Sequence, residues 1–298
     1  MINFLKYRII AWLFSLSMLV GFIGYYVYKN QSRGYVFSYS VDFTGGTQIL
    51  FKFNKPIIGT DIENILDENG WPGAITREFS GNNDVLIRVK EVATDAIGLA
   101  ERMRSVMEKA FPGAEVTVLQ SESVGPGIGA DLRWKSMRAV LIALAAMLLY
   151  IALRFWSLGF ALGAVVALFH DAFAMLAIFL LFDLEISINV IGAILAVLGY
   201  SINDTIVIYS SIRSNIKKMR GASITQIVNV SLNETFRRTL LTSISTALTV
   251  GAMFVLGGQV LRDFSLALLV GIIFGTYSSI YIASSVIMML HKESDTPS

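Results

Sequence analysis

Residues 186–209 read ISINVIGAILAVLGYSINDTIVIY. About 20 apolar residues in a helix cross a hydrocarbon layer about 30 Å thick, and this run is long enough to do so. It carries no Lys or Arg and a single carboxylate within its cytoplasm-ward half, Asp204. Gly192, Ala196, Gly199 and Asn203 recur at helical spacing, so they form one stripe of small and polar residues with Asp204 beside it. An ionisable group at that depth is costly to insert, which marks Asp204 as a functional candidate.

Working outward, five further apolar runs have similar length: Ile9–Tyr28, Met137–Leu153, Leu158–Phe182, Thr239–Leu256 and Phe264–Leu290. Over its 298 residues the chain is 54% hydrophobic and only 15% charged, where a soluble domain carries about 25% charge. The class is therefore a multi-pass α-helical membrane protein with six transmembrane helices. The first run exceeds the apolar core of about 7–15 residues usual in a signal peptide and leads into Tyr25, Tyr26 and Tyr28, so it reads as an uncleaved anchor with an interfacial belt.

Composition also excludes chemistry. A net charge of +2 gives no reason to expect a nucleic-acid partner. Without cysteine there is no disulfide, thiolate zinc site or Cys nucleophile, and His170 and His291 are too far apart in sequence to suggest a metal cluster. No Walker A, HExxH or GxSxG pattern occurs, so no cofactor and no enzymatic activity are expected.

Residues 29–134 have ordinary polarity. Strand-like runs near Phe37–Phe53, Ala74–Phe79, Asp84–Val89 and Ala114–Val124 alternate with helical patterns at Thr60–Glu68, with Thr60 as N-cap, and Thr94–Phe111. The order predicts a ferredoxin-like α+β domain. The expected organisation is an N-terminal segment and first helix at 1–28, the α+β domain at 29–134, a five-helix bundle at 135–291 with a cytoplasmic loop at 210–236, and a cytoplasmic tail at 292–298. Arg213, Lys217, Lys218 and Arg220 make that loop basic, and Ile212, Ile216, Met219, Ile224 and Ile227 make 212–232 amphipathic, as if it lay on the cytoplasmic surface. Lys6, Arg8, Arg154 and Lys292 fall on the same side once spans alternate, which puts both termini in the cytoplasm and 29–134 outside. Arg133, Lys135 and Arg138 point the other way but adjoin a long translocated segment.

Other polar groups share the membrane. His170–Asp171 lies near the middle of the third span. Arg238 opens the fifth and heads a face with Thr242, Ser245 and Thr249; Gly271 and Gly275 form GxxxG in the sixth. Spans four to six are expected to form a tight bundle with a polar seam. A carboxylate and a guanidinium on one seam make a switch: beside Arg238 the Asp204 carboxyl stays ionised, and released into a dry site it takes a proton.

Seven stretches carry a family resemblance: VDFTGGT at 41–47, VGP at 124–126 with Gly129, HD at 170–171, GYSINDT at 199–205, RTLLTS at 238–243, LRDF at 261–264 and GTYSS at 275–279. In this order they resemble the SecD/SecF family of protein-export membrane proteins, on its SecF side, within the resistance-nodulation-division (RND) superfamily. The resemblance implies half of an RND-type transporter in the cell inner membrane, with the domain after the first span periplasmic. SecD would supply the other half, and the SecYEG channel, with YajC and YidC, would be partners. The work implied is proton-motive-force-driven completion of preprotein export after SecA has acted. Asp204 would be the proton carrier and Arg238 its partner, with Asn203, Thr242, His170 and Asp171 as further candidates. Asp42, Gly45 and Gly46 would form a structural turn at the root of the periplasmic domain. Where the family reads DRIREN after the fourth span, this chain has Ser210-Ser-Ile-Arg-Ser-Asn215, which puts the contacts of the following loop in question. Two other readings remain: a scaffold subunit without proton coupling, and a half-size RND efflux transporter, against which the single small outer domain argues.

Overall fold

Lipid offers no hydrogen-bond partners, so a chain that crosses it does so in helices that close their own backbone bonds. The computed structural model describes residues 1–79, 83–155 and 157–290. The expected tail at 292–298, with His291 and Lys292, lies outside the described residues. A 3₁₀ turn at Phe4–Tyr7 leads into α1 (Arg8–Arg33), which stops at Gly34 in the left-handed conformation (φ 72°). Next come β1 (Ser38–Tyr39), the one-turn α2 (Val41–Thr44), β2 (Gly46–Phe53), α3 (Gly59–Glu68), β3 (Ile75–Phe79), β4 (Asp84–Val89), α4 (Ala96–Ala110) and β5 (Val116–Val124). The remainder is α5 (Pro126–Phe155), α6 (Leu158–Leu181), β6 (Glu185–Ile186), α7 (Ile188–Lys218), α8 (Ile224–Leu256) and α9 (Gly258–Ser278), which passes through a π turn, Ser279–Ala283, into α10 (Ser284–Leu290). Among the described residues, six helical stretches are long and apolar enough to span a membrane. The chain divides into two compact units, Met1–Ser38 with Arg138–Ser298, and Tyr39–Met137.

In the helical unit, α9 packs against α6, α7 and α8. The GxxxG glycines permit this approach: a Cβ on Gly271 would stand 2.4 Å from Val197, and one on Gly275 would stand 2.9 Å from Ser201. Outward-facing Leu13, Phe14 and Leu16 of α1, and Leu141, Ile142 and Leu149 of α5, are exposed, the pattern of helix faces solvated by acyl chains.

The segment 210–236, expected as a loop on the membrane surface, is instead helix almost throughout. α7 runs to Lys218 and α8 begins at Ile224, leaving a turn of five residues, 219–223. Ile212, Ile227 and Val228 are buried between the helix ends, so the amphipathic pattern there faces a neighbouring helix rather than lipid. Ser223 caps α8 in a reciprocal box with Gln226. The N-terminus packs on this hairpin: Ile2 N donates to Asn233 Oδ1 (2.7 Å), Phe4 N donates to Asn229 Oδ1 (3.0 Å), and the Phe4 and Phe236 rings lie 5.0 Å apart.

At the other end of α1, the buried Lys29 Nζ donates to Asp183 Oδ1 (2.9 Å) and to Leu180 O (3.1 Å), while Arg33 donates to Asp183 Oδ2 (2.8 Å). Asp183 sits at φ 53° between α6 and α7. Burial alone raises its carboxyl, but the hydrogen bonds and charges of Lys29 and Arg33 outweigh this and hold it below the usual carboxylate range.

In the second unit the order strand, helix, strand, strand, helix, strand closes a four-stranded antiparallel sheet, β3-β4-β2-β5, with Ile49 opposite Ile87. Ile49, Phe51, Phe53, Val85 and Ile87 bury one sheet face against Ile62 and Leu66 of α3 and Leu99, Met103 and Met107 of α4. Helix α3 begins two residues earlier than expected: Ile58, not Thr60, occupies the N-cap, and Glu78 Oε1 accepts the free Gly59 N–H in place of a capping side chain. The boundaries expected at 29 and 134 fall inside helices, since α1 reaches Arg33 and α5 starts at Pro126.

Two predictions follow from this geometry. Gly46 has φ 115°, and a Cβ there would lie 2.5 Å from Val89 O, whereas Gly113 at φ 75° has open space. Strain alone costs about 1–2 kcal/mol, and a backbone clash adds to it. Gly46→Ala should therefore lower the melting temperature of the purified chain well beyond Gly113→Ala; equal shifts would contradict the contact. The stabilisation from Asp183 is complete above the ordinary carboxylate range and is lost as the pH falls through its depressed value. Thermal unfolding should show Asp183→Asn below wild type at neutral pH, with the gap closing in acid.

Candidate functional site

Inside the bundle, polar side chains are buried on one face of α7: Ser201, Asp204 and Thr205 are 1%, 3% and 2% exposed. Around them, α6 contributes Asp171, α8 contributes Thr239 and Ser243, and the last helix contributes Ser278 and Ser279, all buried. Ser201 Oγ donates to Asp171 Oδ2 (2.5 Å), and Ser279 Oγ donates to the Ser201 carbonyl (3.3 Å). Thr205 and Ser279 hydroxyls meet at 2.8 Å, and Ser243 and Thr276 at 2.7 Å. In this network the π turn begins at Ser279, an irregularity that often marks functional helices.

Asp204 departs from the pattern. Among the described residues its Oδ2 is buried without a hydrogen-bond partner, as is Thr239 Oγ1 on α8. Arg238 attracts it through Coulomb interaction, but among the described residues no ion pair within 4.0 Å joins the two, and the Arg238 side chain is exposed. The carboxylate and guanidinium expected on one seam thus interact without an ion pair, the carboxylate buried in the bundle and the guanidinium on its exposed face. A buried oxygen with an open valence and a cation at a distance suits a group that changes protonation.

The remaining sequence candidates divide. His170 and Asp171 are brought together, Nδ1 to Oδ1 at 3.3 Å. Asn203 is exposed, together with Gly192, Ala196 and Gly199, so the small-residue stripe of α7 faces away from this bundle rather than into it. The α8 face is likewise rotated from expectation. Thr239, Ser243 and Val250 are buried, while Arg238, Ser245 and Thr249 are exposed and Thr242 Oγ1 bonds its own helix at Thr239 O (2.9 Å). Ser201, Ser15 and Tyr277 join the network without having been singled out. Ser201 could have been found, because it sits three residues before Asp204 on the same helix face; a lone Ser15 in an apolar first span carries no such signal.

The altered stretch after the fourth span keeps a function in packing. Ser211 Oγ (2.7 Å) and Asn215 Nδ2 (2.8 Å) both donate to Glu234 Oε2 on α8, which closes the helical hairpin.

In the other unit, Gly45 (φ 74°) and Gly46 (φ 115°) turn the chain from α2 into β2. Ser40 caps α2 through the Asp42 N–H and donates to Asp42 Oδ2 (2.9 Å). A Cβ on Gly129 of α5 would stand 3.1 Å from Gly45 N, and Arg133 donates to Phe43 O (3.2 Å). Thr47 Oγ1 donates to Glu91 O (2.7 Å) and accepts from Ala93 N (3.2 Å). These are the contacts of a rigid turn.

Comparison with known proteins bears on both regions. The family described as Protein export membrane protein SecD/SecF, C-terminal, matches residues 103–293, and the SecD/SecF GG Motif matches residues 35–57. The chain belongs to the SecD/SecF family of protein-export membrane proteins. It is 35% identical over 295 residues to the protein translocase subunit SecF of Thermodesulfovibrio yellowstonii, covering 98% of this chain and 96% of that one. It is 40% identical over 256 residues to the protein translocase subunit SecDF of Thermus thermophilus, covering 85% of this chain but 34% of the longer protein. The crystal structure of SecDF from Thermus thermophilus superposes with a TM-score of 0.85 at 34% identity, over 97% of this chain and 38% of that chain. The two glycines of the family's GG motif are the left-handed pair at 45 and 46, and its C-terminal region holds the whole polar network of α6–α9.

That network depends on the close contact of α7 with α9. Gly271→Leu forces a branched side chain into Val197 and should destabilise the helical unit by about 1–3 kcal/mol or more, read as a lower melting temperature in detergent. Gly251→Leu, where a Cβ meets nothing within 4 Å, is the control and should have little effect.

Proposed function

We propose that this chain is one half of a proton-driven export device of the Sec translocase in the cell inner membrane. With a SecD half, it uses the proton motive force to complete preprotein export. The observation that carries the reading is Asp204, buried in the bundle with an open oxygen and with Arg238 near but unbonded. When the helices shift, Arg238 closes on the ionised carboxylate; when it withdraws, the dry carboxyl takes a proton. Alternating between the two couples proton passage to motion of the ferredoxin-like domain, which this reading puts in the periplasm with both termini in the cytoplasm. The N-terminus and the basic α7–α8 hairpin lie together, which supports a shared cytoplasmic side.

A membrane transporter of this kind needs two related halves. The exposed α7 stripe Gly192, Ala196, Gly199 and Asn203, beside exposed Arg238, Ser245 and Thr249 of α8, is where we place the SecD half. The SecDF relative, of which this chain matches about a third, supports a SecD-type partner. SecYEG, with YajC and YidC, would join this pair, and the translocating preprotein would meet its outer domain.

The test is Asp204→Asn in cells that depend on this chain. Proton-motive-force-dependent release of preprotein should fall about tenfold or more, as when a proton-transferring group is lost, with the chain's abundance and its SecD complex intact. Wild-type dependence on the proton motive force would end the proton-carrier reading. A fall in complex abundance alone would favour a scaffold.

A further inference from the structure

A second polar chain crosses the bundle from α1 to α7 without touching Asp204. Tyr277 Oη lies 2.6 Å from the Ala11 carbonyl and 3.1 Å from Ser15 Oγ. Ser15 Oγ lies 3.0 Å from His170 Nε2, and His170 Nδ1 lies 3.3 Å from Asp171 Oδ1. Asp171 Oδ2 receives the Ser201 hydroxyl on its other side. Asp171 is 0% exposed and Ser15 is 8% exposed, so these groups depend on one another for hydrogen bonds.

The hydrogens can be counted. Four contacts run from Asp171 to Ala11: carboxyl to Nδ1, Nε2 to Ser15, Ser15 to Tyr277, and Tyr277 to the carbonyl. Each needs one hydrogen between its two heavy atoms. If Asp171 is ionised and His170 neutral, imidazole, serine and tyrosine supply one each, so three hydrogens serve four contacts. Either tautomer then leaves two lone pairs facing each other, at the carboxylate or farther along the chain. One added proton fills the fourth contact, whether it sits as imidazolium beside carboxylate or as carboxylic acid beside imidazole. It also makes the pair neutral, which a site this deep demands.

We propose that His170 and Asp171 form a second proton-binding site, which holds one shared proton in the arrangement seen here and is tuned by Ser15, Tyr277 and Ser201. The groups facing the pair are Ser15 from α1, Ser201 from α7, and Tyr277 and the Phe274 ring from α9 (6.1 Å from His170); Tyr281 lies beyond Tyr277, and Asp204 is three residues along α7 from Ser201. Among the described residues neither member pairs with Lys or Arg. The site rests on the proton-coupling reading above only for its purpose. Ser201 Oγ donates to the Asp171 carboxyl and favours its ionised form, so withdrawal of Ser201 with α7 tightens the hold on the shared proton and its return loosens it, and the two carboxyls of the bundle exchange protons in step rather than alone.

The experiment uses the full chain in lipid nanodiscs with nitrogen-15 histidine, His291→Ala removing the second imidazole signal. Expected is either an imidazolium signature at His170, or a neutral ring with bare Nδ1 and a protonated-carboxyl infrared band that disappears in Asp171→Asn. A neutral His170 beside an ionised Asp171 at neutral pH overturns the proposal. Tyr277→Phe removes two contacts and one hydrogen, leaving two contacts that a neutral imidazole and Ser15 can fill. It should move the pH of deprotonation down by about one unit, the size of one hydrogen bond; an unmoved midpoint contradicts the role of the chain. Asp204→Asn should leave the His170 signal in place. Failure of the export reading and failure of this one are therefore separable.

Discussion

Every polar atom between the two membrane faces of this chain must find its partner within protein, because hydrocarbon supplies none. That constraint sorts the interior. Ser201, Thr205, Ser243, Thr276 and Ser279 satisfy one another across α7, α8 and α9, and the threonines of α8 that face outward bond their own helix backbone. Against that background the buried atoms left without a partner among the described residues stand out, Asp204 Oδ2 together with Thr239 Oγ1, Tyr200 Oη and Trp12 Nε1, and of these only Asp204 can carry a charge. An exception is informative only where the rule is strict, and in a bilayer it is strict.

The same constraint explains how the sequence could be read and where it failed. Six spans were legible because charge is nearly absent from six runs of sufficient length. Gly271 and Gly275 were legible as a packing surface, and Gly45–Gly46 as a turn, because glycine at a close approach or a left-handed position has few substitutes. The facing of α7 and α8 was not legible. In water the apolar stripe of a helix points inward, but in lipid both sides are apolar, so the stripe at Gly192, Ala196, Gly199 and Asn203 carries no sign of the direction it faces.

The hairpin at 210–236 failed for another reason. Its basic residues suggest a loop, yet Ile212 on α7 and Ile227 on α8 are buried between helices that extend past the apolar spans. Polarity marked where the lipid ends; it did not mark where the helix ends. The Ser15–His170–Tyr277 chain joins residues up to 262 apart in sequence, and no local pattern records such a meeting.

The π turn at Ser279–Ala283 has a consequence for chain length. A turn of this type holds one residue more than the α-helical turn it replaces, while the helix on either side keeps its direction. Elsewhere in the last span, losing or gaining one residue would rotate everything beyond it by about 100° and carry Ile282 and Ile287 out of their packing. Within 279–283 the extra residue is already looped out, so a shortened version could close to a regular turn with both flanks still aimed at their present neighbours. The span thus contains one place where its length can vary without its faces turning.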